Sequence, residues 1–362
     1  MGASWLIGAL EALSAETGWD PATADHILGT SAGSAVGALV AEGIAPEYLA
    51  AYASGRTMDE VDDAGGRAAA LADRFGGRER IDDVAERLTG TDFRLQLALP
   101  PIGPGSWRMA LSTMRKPWAH APGAVMAGWL PRGFVSTKPI SNLVETFVAG
   151  DWPAHPSYWA IAADYSTGRR VAFGRDDAPP ATVGEAVAAS CAIPGFYHPP
   201  KIAGRRYVDG GICSMSNLDM LADLGLDLVV CLNPTSSVAE IVGGTPGERI
   251  GGLVRSASGK RLGHEARKLR AQGTEVLLLQ PSAEDVKGMG LNLMARGRRV
   301  EVLERARRTT ALALRELRGT SVLLPESTPA TAASATARRR APAARTAPAR
   351  ARGARGARRR AA

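Results

Sequence analysis

Cysteine is scarce in this 362-residue chain, and what there is lies scattered: Cys191, Cys213 and Cys231 form no C-x-x-C pair. An odd number at such spacing excludes a zinc knuckle and a disulfide framework, and suits a reducing, cytoplasmic setting. Long apolar runs are missing too. No window approaches the roughly 18 residues that a spanning helix needs, and no basic stretch followed by an apolar run opens the chain, so neither a membrane span nor a signal peptide is expected. Acidic residues are missing from the C-terminal region as well. Residues 327–362 hold ten Arg and no Asp or Glu, which leaves 34 basic against 36 acidic residues in the first 326. The formal charge of +8 therefore belongs to the tail, and a nearly neutral body gives no case for nucleic-acid binding. Among the tail arginines no aromatic side chain offers a base a stacking face.

What is present is 45% hydrophobic residues, enough for one large core. Leu6, Ala9, Leu10 and Leu13 recur at helical spacing, Asp20-Pro21 breaks the chain, and His26-Ile27-Leu28 is too short for anything but a buried strand. An Ala/Val/Leu helix resumes from Ala35 to Glu42, and a polar helical stretch runs to about Leu88. Tyr158–Ala163 and Arg170–Phe173 read as a hairpin around Ser166-Thr167-Gly168. Val183–Ser190 is an Ala-rich helix, Arg206–Val208 a strand, and Leu228–Leu232 and Glu275–Leu279 are two more buried strands before a closing helix from about Arg298 to Leu317. Strands alternating with helices predict an α/β fold with a largely parallel sheet. Two readings stand for residues 95–135, rich in Pro, Gly and Met with Trp107, Trp118 and Trp129: a cap segment, or a long connection whose tryptophans pack inward. Residues 1–325 make one domain. Residues 326–362, Ala/Arg/Pro-rich and without apolar residues to bury, are expected to be disordered.

Two motifs carry chemistry. Gly29-Thr30-Ser31-Ala32-Gly33 fits G-x-S-x-G, preceded by a strand and followed by a small-residue helix, the context in which a tight turn presents a serine hydroxyl. The serine then sits at a helix N-terminus, where the Ala32 backbone N–H and the helix dipole face a developing oxyanion. The bland alternative is a glycine-rich turn that packs a helix closely on a sheet. A serine needs a base. Only thirty residues precede Ser31, too few for the strands of an α/β-hydrolase, and His264 lies in a polar helical stretch. Asp209 is the other candidate, at the end of a short strand and ahead of Gly210-Gly211, although Asp-Gly-Gly is also a common turn.

In order along the chain, Gly29-Thr30-Ser31-Ala32-Gly33-Ser34, Ala188-Ala189-Ser190-Cys191-Ala192-Ile193-Pro194-Gly195-Phe196 and Arg206-Tyr207-Val208-Asp209-Gly210-Gly211 resemble the patatin-like phospholipase family. The resemblance covers most of residues 1–318. It implies a three-layer α/β/α sandwich with a mostly parallel central sheet, lipid acyl hydrolysis, and a dyad of Ser31 as nucleophile and Asp209 as general base, with no metal or organic cofactor. Such proteins usually open on a strand and a Gly-rich basic loop that supplies oxyanion-hole N–H groups. Met1-Gly2-Ala3-Ser4 already reads as helix, so that strand and loop are expected upstream of Met1, leaving Ala32 as the oxyanion donor within this sequence.

Two functions follow. The first is a serine hydrolase of lipid esters acting through an acyl-enzyme, with residues 95–135 over the acyl groove. The alternative is a catalytically impaired lipid- or protein-binding module of the same fold, in which the oxyanion loop is lacking. The tail reads either as a solubilising extension with no dedicated partner or as a contact for an anionic membrane, which suits a lipid substrate better than nucleic acid does; the expected location is cytoplasmic, in the second case with peripheral membrane contact.

Overall fold

The computed structural model describes residues 1–55, 103–116, 118, 121–237, 246–290 and 297–326. Met1–Pro325 form one compact unit and Glu326–Ala362 a second. The tail from 327 on, the polar stretch toward Leu88 and the first part of the 95–135 segment lie outside the described residues.

Helix α1 (Gly2–Thr17) follows the Leu6/Leu10/Leu13 stripe and stops at Gly18, whose left-handed φ of 70° lets its N–H reach back to the Ser14 carbonyl. Its apolar face packs on α10 (Arg299–Glu316), burying Leu13 with Val302, Ala306 and Leu314. Between them come α2 (Ala32–Ala41), α3 (Pro46–Ser54), α4 (Trp107–Arg115), α5 (Pro122–Trp129), α6 (Lys138–Phe147), α7 (Val183–Ser190), α8 (Pro246–Arg270) and α9 (Ala283–Met289). Both Ser106 at the start of α4 and Thr182 at the start of α7 cap with a side-chain oxygen, onto the Met109 and Glu185 N–H groups respectively.

The strands are β1 (Ile27–Thr30), β2 (Tyr158–Asp164), β3 (Arg170–Phe173), β4 (Lys201–Ile202), β5 (Arg205–Asp209), β6 (Leu228–Leu232) and β7 (Glu275–Leu279). Alternate side chains of β2 go to opposite faces. Tyr158, Ala160 and Ala162 meet Val183 and Val187 of α7, whereas Trp159 and Ile161 meet Leu262, Ala266 and Leu269 of α8. The same alternation holds in the β6–β7 pair, where Leu277 and Leu279 face the α1/α10 cluster and Val229 and Val276 face α8.

The α/β class is as expected, but the sheet is mixed rather than mostly parallel. β1–β2 and β6–β7 are parallel; β2–β3, β2–β5 and β4–β5 are antiparallel. The reason lies in the connections. The short 165–169 and 203–204 links can only fold a strand back on its neighbour, and parallel pairing needs a crossover of a dozen or more residues. Among the described residues β1 pairs only with β2 and β6 only with β7, so the strands fall into two sheets.

One consequence of this topology positions the site. β1 pairs with residues 158–161 of β2 and β5 with residues 162–164, while β3 occupies residues 160–163 on the other edge. β1 and β5 therefore share one edge of β2 and run toward each other. Thr30 ends β1 opposite Ile161, and Asp209 ends β5 opposite Ala162.

Candidate active site

That head-to-head arrangement brings Ser31, just beyond β1, to Asp209. The turn is tight enough to strain its centre: Ser31 has φ 54° and ψ −126°, a region that non-glycine residues rarely occupy. Three hydrogen bonds hold it. The Ser31 N–H donates to Ser190 Oγ at 2.9 Å, and the Ser31 carbonyl accepts from the Ser34 N–H at 2.8 Å and the Ser34 hydroxyl at 2.7 Å. Ser190 in turn donates its one proton to the Ile161 carbonyl at 2.6 Å, so a fully buried hydroxyl is satisfied on both sides. A fourth bond, from Asn217 Nδ2 to Thr30 Oγ1 at 3.0 Å, ties the residue before Ser31 to a loop beyond Asp209.

The two glycines of the turn have different jobs. A Cβ on Gly29 would lie 2.3 Å from the Gly33 carbonyl oxygen and 2.5 Å from Ser34 Cα, both backbone, whereas a Cβ on Gly33 would meet nothing within 4 Å. Gly29→Ala is therefore expected to destabilise the fold by about 3 kcal/mol or more, through a backbone clash that no rotamer change relieves. Gly33→Ala should leave stability unchanged or raise it by up to about 1 kcal/mol, because alanine restricts the unfolded chain. Urea unfolding of the two variants separates these outcomes, and equal losses would contradict the assignment.

Asp209 is fixed as firmly. Its N–H donates to the Ala192 carbonyl at 2.9 Å, and its Oδ1 accepts from the Gly211 N–H at 2.7 Å. At Gly210 a Cβ would come within 2.5 Å of the Ile161 carbonyl oxygen, so the turn lies directly on β2. Burial pushes the Asp209 carboxyl up to about 6; the Gly211 N–H that bonds to it and the neighbouring Ser31 hydroxyl offset only part of that rise. Ser31 is partly exposed beside this buried acid.

Cys191 is the other nucleophile within reach, since its thiol is buried against Ser31 and Ser34. Burial, reinforced by the Asp209 charge, pushes that thiol up to about 12, which keeps it protonated and inert at neutral pH. The Ala32 N–H opens α2 and is one of the donors that a helix start leaves without an intrahelical acceptor, with the positive end of the dipole behind it.

The structure thus brings Gly29, Thr30, Ser31, Ala32 and Gly33 against Asp209, Gly210 and Gly211. No histidine joins them among the described residues. His26 pairs with Ser157, His155 with the Ala24 carbonyl and His198 with Arg206, while His264 is exposed on α8. Sequence reasoning missed Ser190, Ala192 and Asn217. The first two sit in the small-residue block between the motifs, and that block contacts both of them: Ser190 accepts the Ser31 N–H and Ala192 the Asp209 N–H. A serine in an otherwise alanine-rich helix end was the available signal.

A comparison with protein-family models finds one described as patatin-like phospholipase, matching residues 1–222. The match runs from the first residue past the 3-10 turn that follows the Asp209 loop, and takes in Ser31, Ser190 and Asp209.

Proposed function

The chain belongs to the patatin-like phospholipase family, a family of lipid acyl hydrolases, and on that premise we propose that it cleaves lipid carboxylic esters with Ser31 as nucleophile and Asp209 as general base. The observation that carries this reading is the buried Asp209 carboxyl lying against the Ser31 hydroxyl, with no histidine beside them among the described residues. Asp209 takes the Ser31 proton as Oγ attacks the ester carbonyl carbon. Negative charge develops on the carbonyl oxygen, where the Ala32 N–H and the α2 dipole stabilise it. Collapse breaks the ester C–O bond, Asp209 returns the proton to the leaving alkoxide, and the acyl group stays on Ser31. A water then loses a proton to Asp209 and attacks the acyl-enzyme, and Ser31 leaves with that proton as the fatty acid departs.

The raised pKa sets the pH dependence. Below about 6 Asp209 is protonated in the folded protein and cannot accept the serine proton; above it, the base is available. The rate of covalent labelling by a fluorophosphonate should therefore fall about tenfold per pH unit below pH 6 and level off above it. Labelling should vanish in Ser31→Ala. A rate that stays flat down to pH 4 would remove Asp209 as the base, and a folded protein that takes up no label at any pH would leave a lipid-binding module instead of an enzyme.

A further inference from the structure

Exposed large apolar side chains are concentrated in one segment of the chain. Of the fourteen that stand exposed among the described residues, seven fall between Trp107 and Phe134: Trp107, Leu111, Met114, Trp118, Met126, Trp129 and Phe134. The tryptophans do not pack inward as a plain connection would have them; Trp107 is 61% and Trp118 81% exposed. Nor is the segment irregular. α4 and α5 are helices whose inner residues Met109 and Ala127 pack on Val208, next to Asp209. The 133–135 loop bonds to the strand-like stretch beyond Ala192, Val135 N–H to the Phe196 carbonyl and His198 N–H to the Val135 carbonyl. Packing on Val208 and the 133–135 bonds therefore anchor α4 and α5 next to the strand that ends at Asp209.

At 100° per residue, Trp107, Leu111 and Met114 form a single stripe on α4, pointing away from buried Met109, Ala110 and Thr113, with exposed Arg108 and Arg115 along its flank. Lys116 and Lys138 are exposed beyond it. From Arg94 through Val144 the sequence contains no Asp or Glu. Tryptophan with flanking cations on a half-buried helix is the composition of an element that lies in a membrane interface. A protein partner of ordinary composition would gain nothing from a cationic, acid-free rim.

We propose that the outer face of α4 and α5 docks the protein onto an anionic lipid surface, with Trp107, Leu111, Met114 and Trp118 entering the headgroup region and Arg108, Arg115 and Lys116 meeting lipid phosphates. This deepens the acyl-hydrolase reading and rests on it for the identity of the surface, since docking here sets the mouth of the site against its substrate.

Binding is read on the full-length chain carrying Ser31→Ala, so that vesicles stay intact. Vesicles of phosphatidylglycerol and phosphatidylcholine, with and without brominated acyl chains, report partitioning and tryptophan insertion together. Wild-type α4 should bind the anionic vesicles with its fluorescence quenched by the brominated chains, which binding through the arginine tail alone would not produce. Trp107→Ser/Leu111→Ser/Met114→Ser should weaken binding at least tenfold and cut the quenching to the share that Trp118 contributes. Arg108→Glu/Arg115→Glu should weaken binding by well over tenfold, at about fivefold per charge, and leave pure phosphatidylcholine unaffected. With Ser31 restored, the apolar triple variant should hydrolyse a short-chain soluble ester at the wild-type rate and lose hydrolysis of vesicles. Quenching without any ester hydrolysis would sink the enzyme reading and keep the surface. The surface itself is overturned by absent quenching, by variants that bind as wild type does, or by a lipid-free dimer that already shields these tryptophans.

Discussion

Asp209→Asn is expected to lower ester hydrolysis at neutral pH by about 10²- to 10⁴-fold, the range a positioned general base contributes, and at the same time to make the protein more stable. The second effect follows from the direction of the pKa shift. Burial raises the folded-state carboxyl from 3.8 to about 6. Between these values the folded protein binds a proton that the unfolded chain has released, so stability is greatest below pH 3.8, falls as pH rises through the window, and stays low above 6. Two units correspond to about 3 kcal/mol withheld from the folded state at neutral pH. Asparagine is nearly isosteric, keeps an oxygen for the Gly211 N–H, and carries no charge to desolvate. Urea unfolding at pH 7.5 should show a gain of that order, shrinking toward zero below pH 4. A less stable variant at pH 7.5 would mean that the Asp209 charge is compensated by groups other than those bonded to it here.

The pairing of lost turnover with gained stability is the mark of a group kept for chemistry rather than for packing. It distinguishes Asp209 from the neighbouring Asp164, a carboxylate equally enclosed. Ser166 hydrogen bonds and Arg205 outweigh burial there and hold its carboxyl below the usual range. Both acids end up in the same strand pairing, since Asp164 closes β2 and Asp209 closes β5. Only the one beside Ser31 is left short of compensating partners.

How much of this was legible depends on the range of the interaction. The turn at Gly29–Gly33 and the Asp209-Gly210-Gly211 turn could be read because glycine, aspartate and serine act on their immediate neighbours, and β2 with β3 could be read because five residues join them. That β5 runs antiparallel along the edge of β2 left free beyond β1 could not be read. The orientation is decided forty residues away, by the 165–204 path. The same holds for Ser190, whose role depends on a proton donor 159 residues distant. Residues 103–135 failed for another reason. Pro and Gly obscured the helical period, although Ser106 as a cap and Pro122 in the first turn of α5 are the usual signals of helix starts. The exposed stripe of α4 also inverts the ordinary rule, because its apolar side chains point outward. A reading that assumes buried apolar residues cannot place it.

Ser31→Gly should abolish acyl transfer as completely as Ser31→Ala does, yet the two variants should differ in stability. Both remove the hydroxyl proposed to attack the ester. Alanine keeps a Cβ and so keeps the cost of holding φ at 54° and ψ at −126°, a conformation worth about 1 to 3 kcal/mol of strain for a residue with a side chain. Glycine adopts that conformation without the clash, against a penalty of about 0.5 to 1 kcal/mol for the added freedom of the unfolded chain. The expected balance is a glycine variant about 1 kcal/mol more stable than the alanine variant, measured by urea unfolding at equal slope. The Ser190 Oγ acceptor is untouched in both, because it receives the backbone N–H of position 31 and not the side chain. A stability gain in Ser31→Gly locates the strain at the nucleophile itself, imposed by the Ser190 and Ser34 bonds on either side of it. Equal stabilities would mean that the turn relaxes once the hydroxyl is gone, and that the contact between Ser31 and Asp209, rather than the backbone bonds, sets its shape.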